Sequence, residues 1–146
     1  MELIFRKAKY DDIEQIVDLC NECFGEQTNV DYAREVFNKT KDDENQIYLV
    51  GIIDGKIVAH TRIVIIPTMF EPMSTYAILN HVCVKPNYRR HNIGTKMLIE
   101  CEKICKEMNC VEMKLWSKNF RIPAHECYKR YGFNVIEATF FEKKIS

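Results

Sequence analysis

The run Thr75–Val84 constrains the fold of this chain more than any other segment. Its residues are mostly apolar, aromatic or β-branched, a composition typical of a strand that is covered on both faces. A sheet covered on both faces needs a packing layer on each side. Residues Asn92–Asn109 can supply one layer, because their apolar side chains recur at helical spacing over about five turns. We therefore expect an α+β domain with a mixed sheet in which Thr75–Val84 is a central strand.

The rest of the chain predicts a hairpin and several further elements. β-Branched runs flank Asp54-Gly55, a dipeptide that favours a two-residue hairpin turn. The spacing of apolar residues predicts a first helix that ends near Phe24 and a second around Tyr32–Phe37. Similar patterns predict strands at Leu3–Arg6, Gln46–Ile53, Lys56–Ile66 and Val111–Trp116, a helix at Pro123–Arg130, and one or two closing strands within Phe133–Lys143.

The size and charge of the chain disfavour several classes of protein. Its 146 residues suit a single domain, 1–146. Lysine plus arginine and aspartate plus glutamate each total 21, and this zero net charge indicates neither nucleic acid nor a membrane surface as a partner. No apolar run reaches the roughly 18 residues of a membrane helix, and the N-terminus lacks the pattern of a signal peptide. We expect a cytoplasmic protein.

The seven cysteines predict reduced thiols and no metal. Their odd number, without a secretion signal, argues against a disulfide framework. Cys20 and Cys23 form a Cys-x-x-Cys pair, but no second pair follows at the spacing of zinc ligands. Because structural zinc needs four convergent ligands and a free cysteine is usually a small buried apolar residue, we expect no metal site.

The segment Val82–Lys96 carries the chemistry. A buried strand leads through Pro86 into basic residues and then into a long helix whose first turn contains Gly94. Such a turn directs backbone N–H groups and a helix dipole at one point, which favours an anion. The order Gly94-Thr95-Lys96 departs from the Walker pattern, and the three glycines of the dinucleotide fingerprint are missing. An arginine-rich turn suits the diphosphate of coenzyme A better.

Two motifs resemble the GNAT superfamily of acyl-CoA-dependent N-acetyltransferases. Arg89, Asn92 and Gly94 lie at the spacing of the family's Arg/Gln-x-x-Gly-x-Gly/Ala turn. Asn92 replaces its first glycine, a mild change because asparagine tolerates left-handed backbone angles. The second motif is an alanine, a tyrosine and a Gly-Phe pair at intervals of four residues, which here are Ala124, Tyr128, Gly132 and Phe133. The family's asparagine before that alanine is here Arg121, although Asn119 lies nearby.

The resemblance, which spans Ala77–Phe133, implies a fold and an acetyl-CoA site. The fold is a GNAT-like three-layer α/β/α arrangement around a mixed, mostly antiparallel sheet that splays between its fourth and fifth strands. The pantetheine arm would lie in the gap, bonded to the backbone of Val82 and Val84, and the turn would hold the diphosphate. The implied cofactor-binding residues are Val82, Cys83, Val84, Arg89, Arg90, His91, Asn92, Ile93, Gly94, Thr95 and Asn119.

Two side chains are candidates for acid-base catalysis. By analogy with the family, Tyr128 would protonate the leaving thiolate as a general acid; the alternative is an aromatic residue packed in the core. His81 is the candidate base, because an imidazole titrates near neutral pH; a buried structural histidine is the alternative. Two loops that would choose the acceptor, Gly25–Asp31 and Pro67–Thr75, match no motif.

These residues lead to one predicted function with two alternatives. The chain is expected to move an acetyl group from acetyl-CoA to a primary amine of a small molecule, by direct attack in a ternary complex. Transfer through an acyl-cysteine at Cys83 or Cys127 would need an activating base beside the thiol. The alternatives are an acetyltransferase for a protein amine and a non-catalytic acyl-CoA-binding module. The resemblance is compatible with a homodimer.

Overall fold

The computed structural model describes residues 2–146, which group into two compact units. The first runs to Trp116 and the second is Ser117–Ser146. The single domain, 1–146, stays a prediction. In chain order the elements are β1 (Leu3–Lys7), α1 (Ile13–Phe24), α2 (Val30–Thr40), β2 (Gln46–Ile53), β3 (Lys56–Ile66), β4 (Tyr76–Val84), α3 (Ile93–Glu107), β5 (Glu112–Lys114) and α4 (Ile122–Tyr131).

The sheet of the first unit has the order β1-β2-β3-β4-β5. The first three pairings are antiparallel and β4 pairs with β5 in parallel. The predicted hairpin is confirmed: Asp54 and Gly55 connect β2 to β3 with φ angles of 50° and 74°. Positive φ at both central residues defines the turn that matches the twist of a hairpin, and it explains the glycine.

Helices cover both faces of this sheet. On one face, α1 and Phe37 of α2 enclose a core with residues of β2, β3 and β4. His60 of β3 lies on this face, near Cys20 of α1, whereas its neighbour Thr61 lies beside Cys101 of α3. Because successive side chains of a strand point to opposite faces, α1 and α3 lie on opposite sides of the sheet. The predicted layered α+β fold is confirmed.

The pairing between β4 and β5 is short. It joins Tyr76, Ala77 and Ile78 to the three residues of β5, whereas β4 continues to Val84. The predicted splay between the fourth and fifth strands is therefore confirmed. The burial of β4 differs from the expectation: Ala77, Leu79 and Cys83 are buried, but His81 is exposed. β4 is an interior strand only over its first part, because β5 ends so early.

The second unit contains α4 and a C-terminal segment without regular secondary structure. Residues 133–146 contain neither helix nor strand, so the prediction of closing strands within Phe133–Lys143 is wrong. Apolar side chains at Val135, Ile136 and Phe141 are exposed by more than three quarters. A period of two produces a strand only where another strand supplies hydrogen-bonding partners, and Ser117–Ser146 contains no strand.

No helix within residues 2–146 combines the length and the apolar character needed to cross a membrane. The thiols of Cys20, Cys83, Cys101, Cys105 and Cys110 are free. This state agrees with the reduced thiols that the sequence predicts.

A bidentate ion pair joins β1 to the start of α1. The Arg6 guanidinium donates to both carboxylate oxygens of Asp12, at 2.6 and 3.1 Å. The backbone N–H of Lys9 donates to the same carboxylate at 2.7 Å. The hydrogen bonds from Arg6 lower the pKa of the Asp12 carboxyl below its ordinary 3.8, and the Lys9 N–H adds to this effect against the opposing effect of burial. The ionised carboxylate thus stabilises the fold.

Replacing the carboxylate should remove this stability in a pH-dependent way. Because Asp12→Asn leaves Arg6 without its ion pair, we expect the free energy of unfolding at pH 7 to fall by about 2 kcal/mol. The folded pKa of Asp12 is lowered, so wild-type protein has the full contribution above pH 3.8 and loses it as the pH falls through the lower folded value. Urea unfolding between pH 7 and pH 2 should therefore show the two proteins converging in acid.

The control is Asp31→Asn, whose carboxylate is 92% exposed beside Arg34. We expect it to change stability by less than about 0.5 kcal/mol. If the free energy of unfolding of Asp12→Asn stayed below that of the wild type by the same amount down to pH 2, the result would contradict an electrostatic role for Asp12.

Candidate active site

The second part of β4 has a backbone edge without a partner strand beyond the end of β5. The N–H of Lys85 donates to the carbonyl of Val58 at 2.7 Å, so this residue faces β3. Successive residues of a strand direct their backbone groups to alternate sides, and Val84 and Val82 therefore face away from β3. No strand in residues 2–146 pairs with them there. This edge can bond an extended ligand that carries amide groups.

The turn after β4 leads directly to the N-terminus of α3. A short 3-10 turn, Pro86–Tyr88, is followed by Arg89 and Arg90, and Asn92 precedes the helix with φ 57° and ψ 23°. The left-handed conformation expected at Asn92 is thus present. The first intrahelical bond runs from Lys96 N to Asn92 O, which leaves the N–H groups of Ile93 and Gly94 without acceptors inside the helix. The Asn92 side chain makes no capping hydrogen bond to the helix.

The two arginines of the turn have different surroundings. Arg89 folds back across the end of β4, where its Nε donates to the carbonyl of Val84 at 3.0 Å and its Nη2 lies 3.7 Å from the Cys23 sulfur. Arg90 and His91 are exposed at the surface of the turn. The structure therefore brings β4, two basic side chains and a helix N-terminus into one continuous segment, which offers hydrogen-bond donors and positive charge to an anion.

A β-bulge turns His81 out of the sheet. Thr61 of β3 lies opposite both His81 and Val82, because the register of the two strands shifts between His60 and Arg62. His81 has φ 47°, the left-handed conformation that is rare outside glycine. Its ring is exposed and packs edge-on against Phe24 at the end of α1, with 5.1 Å between ring centroids.

Glu26 and His81 form a pair. The His81 Nε2 lies 3.1 and 3.2 Å from the two carboxylate oxygens of Glu26. Glu26 belongs to the loop Gly25–Asp31, for which the sequence showed no motif. A carboxylate beside an imidazole orients the ring and favours a cation nearby. No local pattern predicts this partner, because 55 residues separate the two side chains.

A buried histidine supports the bulge. His60, which had no predicted role, is 3% exposed. Its Nδ1 lies 2.9 Å from the carbonyl oxygen of His81; since a carbonyl only accepts, Nδ1 carries the proton and donates. The structural role considered for His81 is thus performed by His60, and the His81 side chain is left exposed.

The thiol of Cys83 faces inward. It is 7% exposed and lies 4.0 Å from the Cys20 sulfur. Hydrogen bonds with Cys20 and Cys23 and burial raise the pKa of the Cys83 thiol. The pKa of the Cys23 thiol is lowered to about 7, mainly by its hydrogen bond with Cys83 and to a smaller extent by the Arg89 guanidinium. A buried thiol held protonated is a poor nucleophile, which disfavours an acyl-cysteine at Cys83.

In the second unit, the C-terminal motif builds the end of α4. Gly132 ends the helix with φ 121°, where its N–H bonds the carbonyls of Tyr128 and Lys129. The chain then turns so that the Phe133 ring packs edge-on against Tyr128 at 5.9 Å. This geometry explains the spacing from Tyr128 to the Gly-Phe pair. The candidate Asn119 is exposed ahead of α4.

The chain belongs to the acetyltransferase (GNAT) family, whose model matches residues 13–133. The predicted resemblance is therefore confirmed. The match includes the edge of β4 without a partner strand, the turn, the start of α3 and the whole of α4.

Individual relatives are distant in sequence and close in fold. A spermidine N(1)-acetyltransferase from Thermoplasma acidophilum is 22% identical, over 92% of this chain and 90% of its own. A predicted acetyltransferase from Clostridium acetobutylicum, solved with acetyl-CoA, is 21% identical with a TM-score of 0.78, covering 97% and 96% of the two chains. An aminoglycoside 6'-N-acetyltransferase from Acinetobacter baumannii is 17% identical with a TM-score of 0.81, covering 99% and 100%. At these identities the two structures establish the shared fold.

The backbone angle at Asn92 generates a test of the turn. The left-handed backbone conformation is less favourable for alanine than for asparagine, so Asn92→Ala should lower the free energy of unfolding by about 1 kcal/mol. The matched variant Asn92→Gly should keep or raise stability, since glycine adopts this conformation freely. Urea unfolding measures both. Equal losses in the two variants would show that the Asn92 side chain, and not its backbone angle, stabilises the turn.

Proposed function

We propose that this protein is an N-acetyltransferase that transfers an acetyl group from acetyl-CoA to a primary amine of a small molecule, by direct attack in a ternary complex. The observation that carries the proposal is the edge of β4 without a partner strand, which runs into the start of α3, where Asn92 makes no side-chain cap. Membership of the acetyltransferase family supports acetyl-CoA as the acyl donor. We further propose that the enzyme works in the cytoplasm, in keeping with the free thiols of Cys20, Cys83, Cys101, Cys105 and Cys110.

The residues of the first unit fit acetyl-CoA, which supplies the activated acetyl group. The edge groups of Val82 and Val84 would bond the pantetheine amides, and an N–H of β4 would donate to the thioester oxygen as negative charge develops there. The N–H groups from Arg90 to Thr95 would hold the diphosphate. Arg89 and Arg90 would add charge, and Arg89 would need to leave the carbonyl of Val84 to do so.

The pair of His81 and Glu26 supports a cationic amine as acceptor. A protonated amine must lose a proton before it attacks, and the exposed His81 ring can accept one. Glu26 would orient the ring and attract the ammonium group. The similarity to a spermidine acetyltransferase supports an acceptor of this kind. Among small molecules, we favour those with several amino groups.

Tyr128 is proposed as the general acid that protonates the departing thiolate. Its position in the motif from Ala124 to Phe133, shared with the family, supports this role. A phenol held at a helix end by a packed aromatic ring has a defined orientation. Asn119 is proposed as a further contact for the cofactor.

The function is tested by release of free CoA. Purified protein with acetyl-CoA should release thiol above background only when an amine is added, and spermidine should be a better acceptor than a peptide with a free N-terminus. Tyr128→Phe should lower kcat by about 100-fold or more while CoA affinity stays within twofold, because only protonation of the leaving group is lost. Binding of acetyl-CoA without turnover for any amine would instead support the binding module, and turnover only with the peptide would support a protein acceptor.

The amine-binding role of Glu26 predicts a selective kinetic effect. Glu26→Gln removes the charge and keeps the size, so the KM for the amine should rise about tenfold with the KM for acetyl-CoA unchanged. Glu22→Gln is the matched control, because Glu22 lies near the same helix end but pairs with Lys85 at 3.1 Å. Initial rates at varied amine and varied acetyl-CoA measure both constants. Equal rises for the two variants would mean that Glu26 acts only through the general charge of the surface.

A further inference from the structure

A cluster of sulfur and nitrogen atoms that acetyl transfer does not use lies between α1 and the sheet. Cys20 of α1, His60 of β3 and Cys83 of β4 place their ligand atoms within 4.8 Å of one another. Within residues 2–146 no other such group of three metal-ligating side chains occurs. All three residues are more than nine-tenths buried. The cluster therefore has the residue types and the dry surroundings of a metal site.

The distances agree with tetrahedral coordination. With metal–sulfur bonds of about 2.3 Å and metal–nitrogen bonds of about 2.0 Å, two sulfur ligands lie about 3.8 Å apart and a sulfur and a nitrogen about 3.5 Å apart. The Cys20 Sγ lies 4.0 Å from the Cys83 Sγ and 4.0 Å from the His60 Nδ1. Small side-chain movements would shorten both distances to those of tetrahedral coordination.

A fourth ligand is available on the same helix. Cys23 follows Cys20 by three residues, so the two side chains share one face of α1. The thiol of Cys23 already interacts with that of Cys83 and lies 3.5 Å from the carbonyl of Val84. Three thiolates and a dication would leave one negative charge, and the Arg89 guanidinium lies 3.7 Å from the Cys23 sulfur. Positive charge is thus present where this site would need it.

We propose that Cys20, Cys23, Cys83 and His60 form a tetrahedral binding site for a thiophilic divalent cation such as Zn²⁺. The cation replaces the three thiol protons, which pass to solvent. The proton of His60 moves from Nδ1 to Nε2, a buried atom that has no hydrogen-bond partner. The ring gives up its hydrogen bond with the His81 carbonyl and leaves the buried Nε2–H without an acceptor, and both costs must be outweighed by the binding free energy of a thiolate zinc site. With four protein ligands the site is structural and ties α1 to β3 and β4.

Metal binding is tested on the full chain, prepared without metal under anaerobic, reducing conditions. Titration with Zn²⁺ should reach one equivalent per chain by elemental analysis and should raise the melting temperature, because the metal binds only the folded cluster. Titration with Co²⁺ should produce the thiolate charge-transfer band and the visible bands of tetrahedral cobalt. A chelator should reverse both changes.

The variants assign the ligands. Cys20→Ala and Cys83→Ala should weaken Zn²⁺ binding by at least about 100-fold, since loss of an outer partner alone costs about 10–100-fold. Cys23→Ala provides the same test at a half-buried position, where truncation disturbs the core least. Cys110→Ala is the matched control, because it removes a half-buried thiol outside the cluster and should bind Zn²⁺ like wild type.

Three results would overturn the proposal. The first is wild-type protein that takes up no Zn²⁺ and shows no tetrahedral Co²⁺ spectrum. The second is uptake that Cys20→Ala and Cys23→Ala leave unchanged. The third is metal-free protein in which air oxidation joins Cys20 to Cys83, detected as a loss of two hydrogens in mass spectrometry, while anaerobic protein still binds no metal; the cluster would then be a thiol pair.

Discussion

On the side away from β3, the backbone of β4 has a partner strand only as far as Ile78. The candidate site depends on this constraint. β5 offers only three residues, so the groups of Val82 and Val84 that face away from β3 have no strand beside them in the described chain. Backbone donors and acceptors in such a position require partners, and at the Val84 carbonyl the Arg89 side chain now supplies one. An extended molecule with amide groups can supply them, and the turn after β4 places the amides of α3 where such a molecule would continue.

The β-bulge in β4 gives the same strand a second role. A regular strand would place the His81 side chain in the pleat of the sheet, whereas the bulge and its positive φ leave the ring exposed beside Glu26. His60 stabilises this arrangement from the buried side through the carbonyl of His81. One short segment therefore carries both the backbone edge and the side-chain pair on which the proposed function depends. The inward-facing thiols of Cys20 and Cys83 pack behind it, on the side of α1.

Local patterns allowed most of the elements to be predicted, and the failures share one cause. The hairpin at Asp54-Gly55 and the helix that begins at Ile93 follow from turn chemistry and apolar spacing within a few residues. The closing strands within Phe133–Lys143 were wrong because a strand depends on a partner that the local pattern does not contain. The family motifs identified the turn and Tyr128, and the left-handed angle at Asn92 followed from its residue type.

The sequence by itself determined the layered α+β fold, the turn between β4 and α3, and the family, because each follows from residues that are neighbours in the chain. Only the tertiary structure decided that Glu26 meets His81, that His60 holds the bulge, and that Cys20 and Cys83 come together from positions 63 residues apart. These contacts depend on how the strands register and on which face α1 covers. A pairing shifted by one residue would turn the strand side chains His60 and Cys83 to the opposite face, away from α1, and no spacing along the chain specifies that choice.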